Sequence, residues 1–463
     1  MRKLAILAAT CALSACNFAP QYRQPPAPIA ASFPGAQEGS RLATDIGWEE
    51  FFGDPRLRAL IDSALTRNQD LAQAVARIEQ ARAQYRITDA GRLPELSGQA
   101  GASRSRMPLN AIAPGSGAGS ITIDQFSTGV AVPAFELDFW GRVRNMSDAA
   151  RARYLATVEA ERSFRLSLIG QVAATYLTVR SAEERIVLAE RSVASRREGL
   201  RIAQRRLEAG VTSTVDYDQA ALLVTQVETE KAELERARAQ AANLLAVLVG
   251  GPIDAELPAG HSITSPGQFR DIDAGLPSAL LANRPDILAA EQQLRAANAD
   301  IGAARAAFFP NISLTGNFGW ASTELGDLFK GPFQSWSFGG ALNLPIFDWG
   351  KREAQLAVSK ARADELTAAY SKAVQEAFRE VADALAGRRT YAEQIAAQER
   401  AVASQRRLAE TARKRYDNGV AIYLEVLDAE RSLFAAEQQL LALRAAEHQN
   451  GVSLYIALGG GLK

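Results

Sequence analysis

At 463 residues the chain is long enough for two or more domains, or for an internally repeated design. Apolar residues make up 47% and aromatics only 7%, while Ala, Gln, Arg and Glu abound, a mix that suits long helices packed side by side better than one thick core. Basic and acidic residues balance at 52 each, and runs such as Arg196–Arg197 and Arg205–Arg206 are interleaved with Glu and Gln; they read as solvated helix faces and exclude a nucleic-acid binder, which needs a basic excess or stripe.

The chain begins "MRKLAILAATCALSAC": two basic residues, then an apolar run too short to span a bilayer, then "LSAC". This ending resembles the lipobox of bacterial lipoproteins, in which the cysteine is lipidated and becomes the first mature residue. Residues 1–15 are then the signal, Cys16 carries the lipid, and 16–47 form a Pro-rich tether. Cys11 leaves with the signal, so the exported chain has no internal disulfide. In the lipoproteins this resembles, Asp at the next position favours the inner membrane; Asn17 therefore points to the outer one.

From Trp48 the elements follow in order. A helix through "ARIEQARAQYRITDA" leads to a strand candidate from Pro94, "PELSGQAGAS", a Gly/Ser/Pro-bearing loop, and a second strand through "FSTGVAV", Phe126 to Val132. Arg142 to Ala209 contains no proline and carries Val172, Val179, Ile186, Val193, Leu200 and Leu207 at seven-residue steps. Such a run extends roughly 100 Å as a helix, and its strict heptads specify left-handed supercoiling against neighbours. Gly210 is placed to end it in a left-handed turn, and Val227, Leu234, Ala241 and Leu248 keep the seven-residue step on the return. Residues 250–275 read as a linker in the equatorial region.

The second half, 276–463, repeats the first half, 48–249. Ala76–Ser97 echoes Gln292–Ser313, aligning Pro94 with Pro310; Phe135–Arg144 echoes Leu344–Glu353, aligning Trp140–Gly141 with Trp349–Gly350; Arg205–Ala220 echoes Lys414–Ala429, aligning Gly210 with Gly419. The three echoes keep their order at offsets of 209 to 216 residues. The third strand, "PNISLTGNFGW", sends Ile312, Leu314, Phe318 and Trp320 to one side and Asn311, Ser313, Thr315, Asn317 and Gly319 to the other. The fourth, "WSFGGALNLPI", alternates likewise, and a second long helix carries Leu356, Ala363, Tyr370, Ala377, Ala384 and Tyr391 at heptad spacing.

Each strand candidate has the length of a tilted bilayer crossing, about 9–11 residues. Aromatics cluster at the strand ends (Trp320, Phe333, Trp336, Phe347, Trp349), as interfacial girdles do. Alternation also fits a soluble half-buried sheet, but the sequence offers no second sheet to pack on. Four strands cannot close in lipid, where open edges are prohibitive. Three copies supply twelve. Pro133 and Pro345 fall near the strand-to-helix junctions, where proline stops a ladder.

The pattern resembles the TolC-like outer-membrane factors, in particular the lipidated branch of tripartite RND-type efflux systems. The segments that carry the resemblance are "WEEFFGDPRLRALIDSALTRNQDL", "LPSALLANRPDILAAE", "PIFDWGK" and "GVAIYLEVLDAERSLF". It implies an α+β homotrimer: a twelve-stranded outer-membrane β-barrel, four strands per protomer, continuing into a long periplasmic α-helical coiled-coil barrel. It further implies a channel for small molecules such as drugs, fed by a periplasmic adaptor and an inner-membrane RND-type transporter. By position, Glu425 and Asp428 match the acidic rings of the periplasmic aperture, with Leu424 and Arg431 lining or bracing it. Asp216 matches a residue that links neighbouring coils in the closed state by pairing with a tyrosine, and Tyr416 stands at the tyrosine position. Ala421 replaces an arginine frequent in the family, so the closed-state lock is expected to be weaker or differently built. Gly210 and Gly419 mark the hairpin tips where the adaptor would dock.

Nothing in the sequence points to an enzyme or a cofactor beyond the lipid on Cys16. His261 and His448 are the only histidines and lie far apart; no metal site is expected. "GSGAG" lacks the lysine and strand–helix context of a phosphate loop. Two rivals share parts of the pattern: an outer-membrane channel for protein secretion, and a structural lipoprotein spacer, which would not need four bilayer-length strands.

Overall fold

In the computed structural model, which describes residues 17–33, 41–108, 119–254, 256–265, 267–275 and 277–462, long helices dominate. The order is α1 (Trp48–Phe51), α2 (Pro55–Arg67), α3 (Gln69–Ala90), β1 (Ser97–Pro108), β2 (Ser120–Glu136), α4 (Arg142–Glu208), α5 (Thr214–Val249), α6 (Pro277–Asn283), α7 (Pro285–Ala306), β3 (Asn311–Ser322), β4 (Gln334–Asn343), α8 (Lys351–Asp417) and α9 (Tyr423–Ala457). Short 3-10 turns at Ala43–Asp45, Leu325–Asp327 and Gly331–Phe333 interrupt the loops. The halves match in length: α4 and α8 each have 67 residues, α5 and α9 have 36 and 35, and β1 and β3 have 12 each.

The chain forms two compact units that do not coincide with its two halves. The first comprises residues up to Pro25, Ile78–Thr157 and Ala290–Tyr370; the second comprises Pro26–Arg77, Val158–Ala289 and Ser371–Lys463. Each draws on both repeats.

The first unit holds the sheet, ordered β1-β2-β3-β4 and antiparallel throughout. β1 begins later than the sequence pattern implies and runs on to Pro108, while β2 extends beyond Phe126–Val132 in both directions. The residues of β1 are mostly small or polar, so little alternation marks it. The ladder instead follows the backbone, with Arg104 clamping Asp124 across the strands at 2.6 and 2.8 Å. Pro133 does not stop β2: the register shifts between Val132 and Phe135, and this bulge accommodates the missing donor. β4 ends at Asn343, so Leu344 and Ile346 lie outside the ladder, ahead of and behind Pro345. β1 and β4, the two edges, are exposed along nearly their whole length on both faces. Trp336, Phe338 and Leu342 on β4 point out unburied.

In this unit the residues that follow Cys16 in sequence are held in place. Phe18 stacks on Phe309 at 4.5 Å, and Asn145 donates to the Asn17 side chain at 3.0 Å. Asn298 donates to Pro20 O at 2.7 Å, and Tyr22 donates to Glu291 at 3.2 Å. Cys16 itself lies outside the described residues.

In the second unit part of the expected heptads faces inward, while Val179, Leu200, Leu207, Ala241 and Tyr391 are half-buried. Val172, Ile186 and Val193 of α4, Val227, Leu234 and Leu248 of α5, and Ala377 and Ala384 of α8 are buried. α8 and α9 are stitched in register by Glu399–Arg444 at 2.7 Å, Arg406–Glu437 at 2.7 Å and Arg413–Glu430 at 3.7 Å, seven residues apart on both helices.

Asp54 anchors the other end of this unit. It caps α2, with Pro55 as the first helical residue, by accepting from Arg56 N–H at 2.8 Å and Leu57 N–H at 3.3 Å. Its second oxygen accepts from the Tyr176 hydroxyl at 2.8 Å and His261 N–H at 2.9 Å. Burial, then this bond, pushes the Tyr176 hydroxyl pKa up. Asp54→Ala removes the cap and strands the buried Tyr176 hydroxyl and the part-buried His261 N–H; we predict a loss of roughly 3 kcal/mol, measurable as a lower urea midpoint at an unchanged m-value.

Candidate functional site

α4 and α8 end in the same way. Gly210 and Gly419 follow them at φ +68° and +71°, a conformation that favours glycine. In each turn two backbone bonds close the helix: Gly210 N–H to Leu207 O with Val211 N–H to Arg206 O, and Gly419 N–H to Tyr416 O with Val420 N–H to Arg415 O, all at 2.9 Å. This is the left-handed helix ending expected of both glycines. Ser213 then caps α5, accepting from Asp216 N–H at 3.3 Å. The turns leave Val211, Val215, Val420 and Ile422 exposed, four aliphatic side chains at two hairpin ends.

Leu424, Asp428 and Arg431 recur at spacings of four and three along the start of α9, so they share one exposed face, with Glu425 beside them. Val426 is buried on the far side of the helix, and Leu427 and Phe434 are buried alongside the exposed face. The four residues named for the aperture are thus gathered on the first turns of one helix. Their charges are not free, however. Asp428 pairs with Arg431, and Glu425 faces Arg415 of α8 at 3.9 Å. All four partners are about half exposed, where such pairs contribute at most about 1 kcal/mol.

Within one chain, Asp216 and Tyr416 have other partners. The Thr212 hydroxyl donates to the Asp216 carboxylate and, as the largest influence, holds its pKa below the usual range. The Tyr416 hydroxyl accepts from Arg206, whose guanidinium also lies over the Tyr416 ring, 5.2 Å from its centre. This contact ties α4 to α8 just behind both turns, at an arginine the sequence reading assigned to a solvated face. Its only signal was position, four residues before Gly210, opposite a tyrosine three before Gly419.

Arg196 requires a correction of the same kind. It is 4% exposed, whereas its neighbour Arg197 is exposed and pairs with Glu228 at 2.5 Å. Nearby, Gly199 lets α9 approach α4 closely, since a Cβ there would meet the Tyr423 hydroxyl at 2.2 Å. Burial raises the Tyr423 pKa to about 12, with Glu430 adding to the shift. Burial also pushes the Glu430 carboxyl up, against Arg413 and Arg196.

Residues 60–251 and 276–460 match the family described as Outer membrane efflux protein, in two stretches that follow the two halves. The toluene efflux pump outer membrane protein TtgI of Pseudomonas putida is 44% identical over 422 residues, 89% of this chain and 88% of its own length. The cation efflux system protein CusC of Escherichia coli is 40% identical over 421 residues, 90% of this chain and 89% of its own. Among solved structures, the open state of the MtrE outer membrane channel of Neisseria gonorrhoeae aligns with a TM-score of 0.88 at 40% identity, covering 97% of this chain and 99% of that one. With its paired hairpins, its four-stranded antiparallel sheet and these matches along nearly its full length, the chain belongs to the outer membrane efflux protein family.

Proposed function

We propose that three copies of the chain form the outer-membrane exit duct of a tripartite efflux system. Twelve strands close a barrel in the membrane, and the paired hairpins extend it into the periplasm. A periplasmic adaptor, docked at the turns of Gly210 and Gly419, and an inner-membrane RND-type transporter deliver small molecules to it. The duct is passive and performs no chemistry, and the lipid on Cys16 anchors it. Glu425 and Asp428 form acidic rings at the aperture, braced by Arg431 and narrowed by Leu424. Asp216 and Tyr416 link neighbouring coils when it is closed.

One observation carries this reading. At the β2–β3 junction Trp140 packs on Phe309 at 4.9 Å and donates to Pro310 O at 2.8 Å. The repeat aligns Trp140 with Trp349 and Pro310 with Pro94, which brings Leu93 opposite Phe309. Trp349 is 89% exposed and Leu93 71%, and they belong to opposite edges of the sheet. A second copy brings β4 of one chain to β1 of the next and repeats the internal contact between chains. The cargo is open: TtgI is named for toluene and CusC for cations, at 44% and 40% identity.

The test is planar-bilayer recording of the protein purified from outer membranes. A small, cation-selective conductance is expected. Well-folded, detergent-stable trimers that remain silent would leave only the lipoprotein spacer.

A further inference from the structure

Arg196 of α4 is enclosed by α5 and α9. Its Nη1 donates to Leu223 O at 2.9 Å, and its guanidinium lies 5.3 Å from the centre of the Phe434 ring. Nε and Nη2 are buried and meet no hydrogen-bond acceptor among the described residues. These two nitrogens form the side-on edge of a guanidinium, which grips two oxygens of one group in parallel. This chain uses that edge on a carboxylate elsewhere: Arg104 on Asp124 at 2.6 and 2.8 Å, and Arg284 on Asp286 at 3.0 and 2.6 Å.

Beside Arg196 lies a cavity of about 350 Å³, also lined by Arg185, Arg431, Gln226 and Gln438. Its acidic lining residue, Glu230, is 3.9 Å from Arg185, and Asp428 holds Arg431. Burial pulls the Arg196 guanidinium pKa down, with Glu430 and Glu230 only partly opposing it. A desolvated cation with one backbone acceptor is costly, and an anion that takes both free donors recovers the cost.

We propose that this cavity binds an oxyanion, a carboxylate or a phosphate, toward which the Arg196 guanidinium turns, so that Nε and Nη2, closed to a water-sized sphere in the unliganded chain, donate to two of its oxygens. Val227 and Phe434 border the cavity and favour an organic carboxylate over a fully hydrated inorganic ion. On α9, Arg431, Ala435, Gln438 and Ala442 continue the four-and-three spacing of Leu424 and Asp428. The cavity therefore opens on the face assigned above to the aperture, and its place in the duct wall rests on that reading. Acidic cargo then meets a cationic foothold above the acidic rings.

Calorimetric titration of the detergent-purified full chain with benzoate and with inorganic phosphate, against chloride at equal ionic strength, tests the site. Saturable binding at one site per chain is expected, weakened at least tenfold in Arg196→Lys, which keeps the charge and loses the fork. Ala435→Glu places a carboxylate in the cavity from an exposed position and is expected to abolish binding without touching Arg196. Benzoate alone binding assigns the site to organic acids; phosphate alone assigns it to the inorganic ion. The proposal fails if neither exceeds chloride, or if a folded Arg196→Lys or Ala435→Glu protein binds as the parent does. Bilayer recording on the same preparation separates the two readings: binding by a protein that conducts nothing keeps the site and overturns the duct.

Discussion

Replacing Glu425 and Asp428 together with alanine is expected to raise single-channel conductance several-fold and to turn cation preference into weak anion preference. The direction follows from their partners. Asp428 pairs with Arg431 and Glu425 faces Arg415, so each acid is partly offset within its own chain. If these residues form the proposed aperture, removing both carboxylates does more than neutralise a ring: it leaves Arg415 and Arg431 of each chain without these partners. Arg431→Ala alone has the opposite sign, exposing Asp428 and sharpening cation preference. These groups are about half exposed, so salt screens them; with a Debye length of about 10 Å at 0.1 M and 3 Å at 1 M, the selectivity changes shrink in concentrated KCl. Reversal potentials under a salt gradient measure the effect. Unchanged conductance and selectivity in the double variant would move the gate away from this face of α9.

The second large effect belongs to the sheet. Phe338 and Ser337 are adjacent on β4 and point to opposite faces, one carrying Trp336, Phe338 and Leu342, the other Ser337, Ala341 and Asn343. If the apolar face meets lipid, Phe338→Arg costs about 2–4 kcal/mol per chain near the bilayer midplane, and a trimer bears it three times. Ser337→Arg, facing water in the lumen, should be nearly neutral for assembly. The fraction of SDS-resistant, heat-modifiable trimer in outer-membrane preparations reads both. Equal yields from the two variants would refute the two-faced sheet, whatever the pore does.

The helical architecture was legible in the residues because its causes are local and periodic. Heptads from Val172 to Val193 and from Val227 to Leu248 mark the buried stripes, and Gly210 and Gly419 supply the left-handed turns. The third strand announced its faces because large apolar side chains alternate with polar ones. β1 did not, since Ser, Gly, Ala and Arg leave no such alternation; its ends are set by pairing with β2.

The sequence alone therefore determined the repeat, the long hairpins and their turns, all consequences of spacing along the chain. Only the tertiary structure decided which charges meet. Arg206 reaches Tyr416 across 210 positions, Asp216 turns to Thr212, and Arg196 leaves solvent because α5 and α9 close over it. An arginine reads the same in sequence whether its long side chain ends in water or beneath a neighbouring helix, and the difference is set by helices brought together from distant parts of the chain.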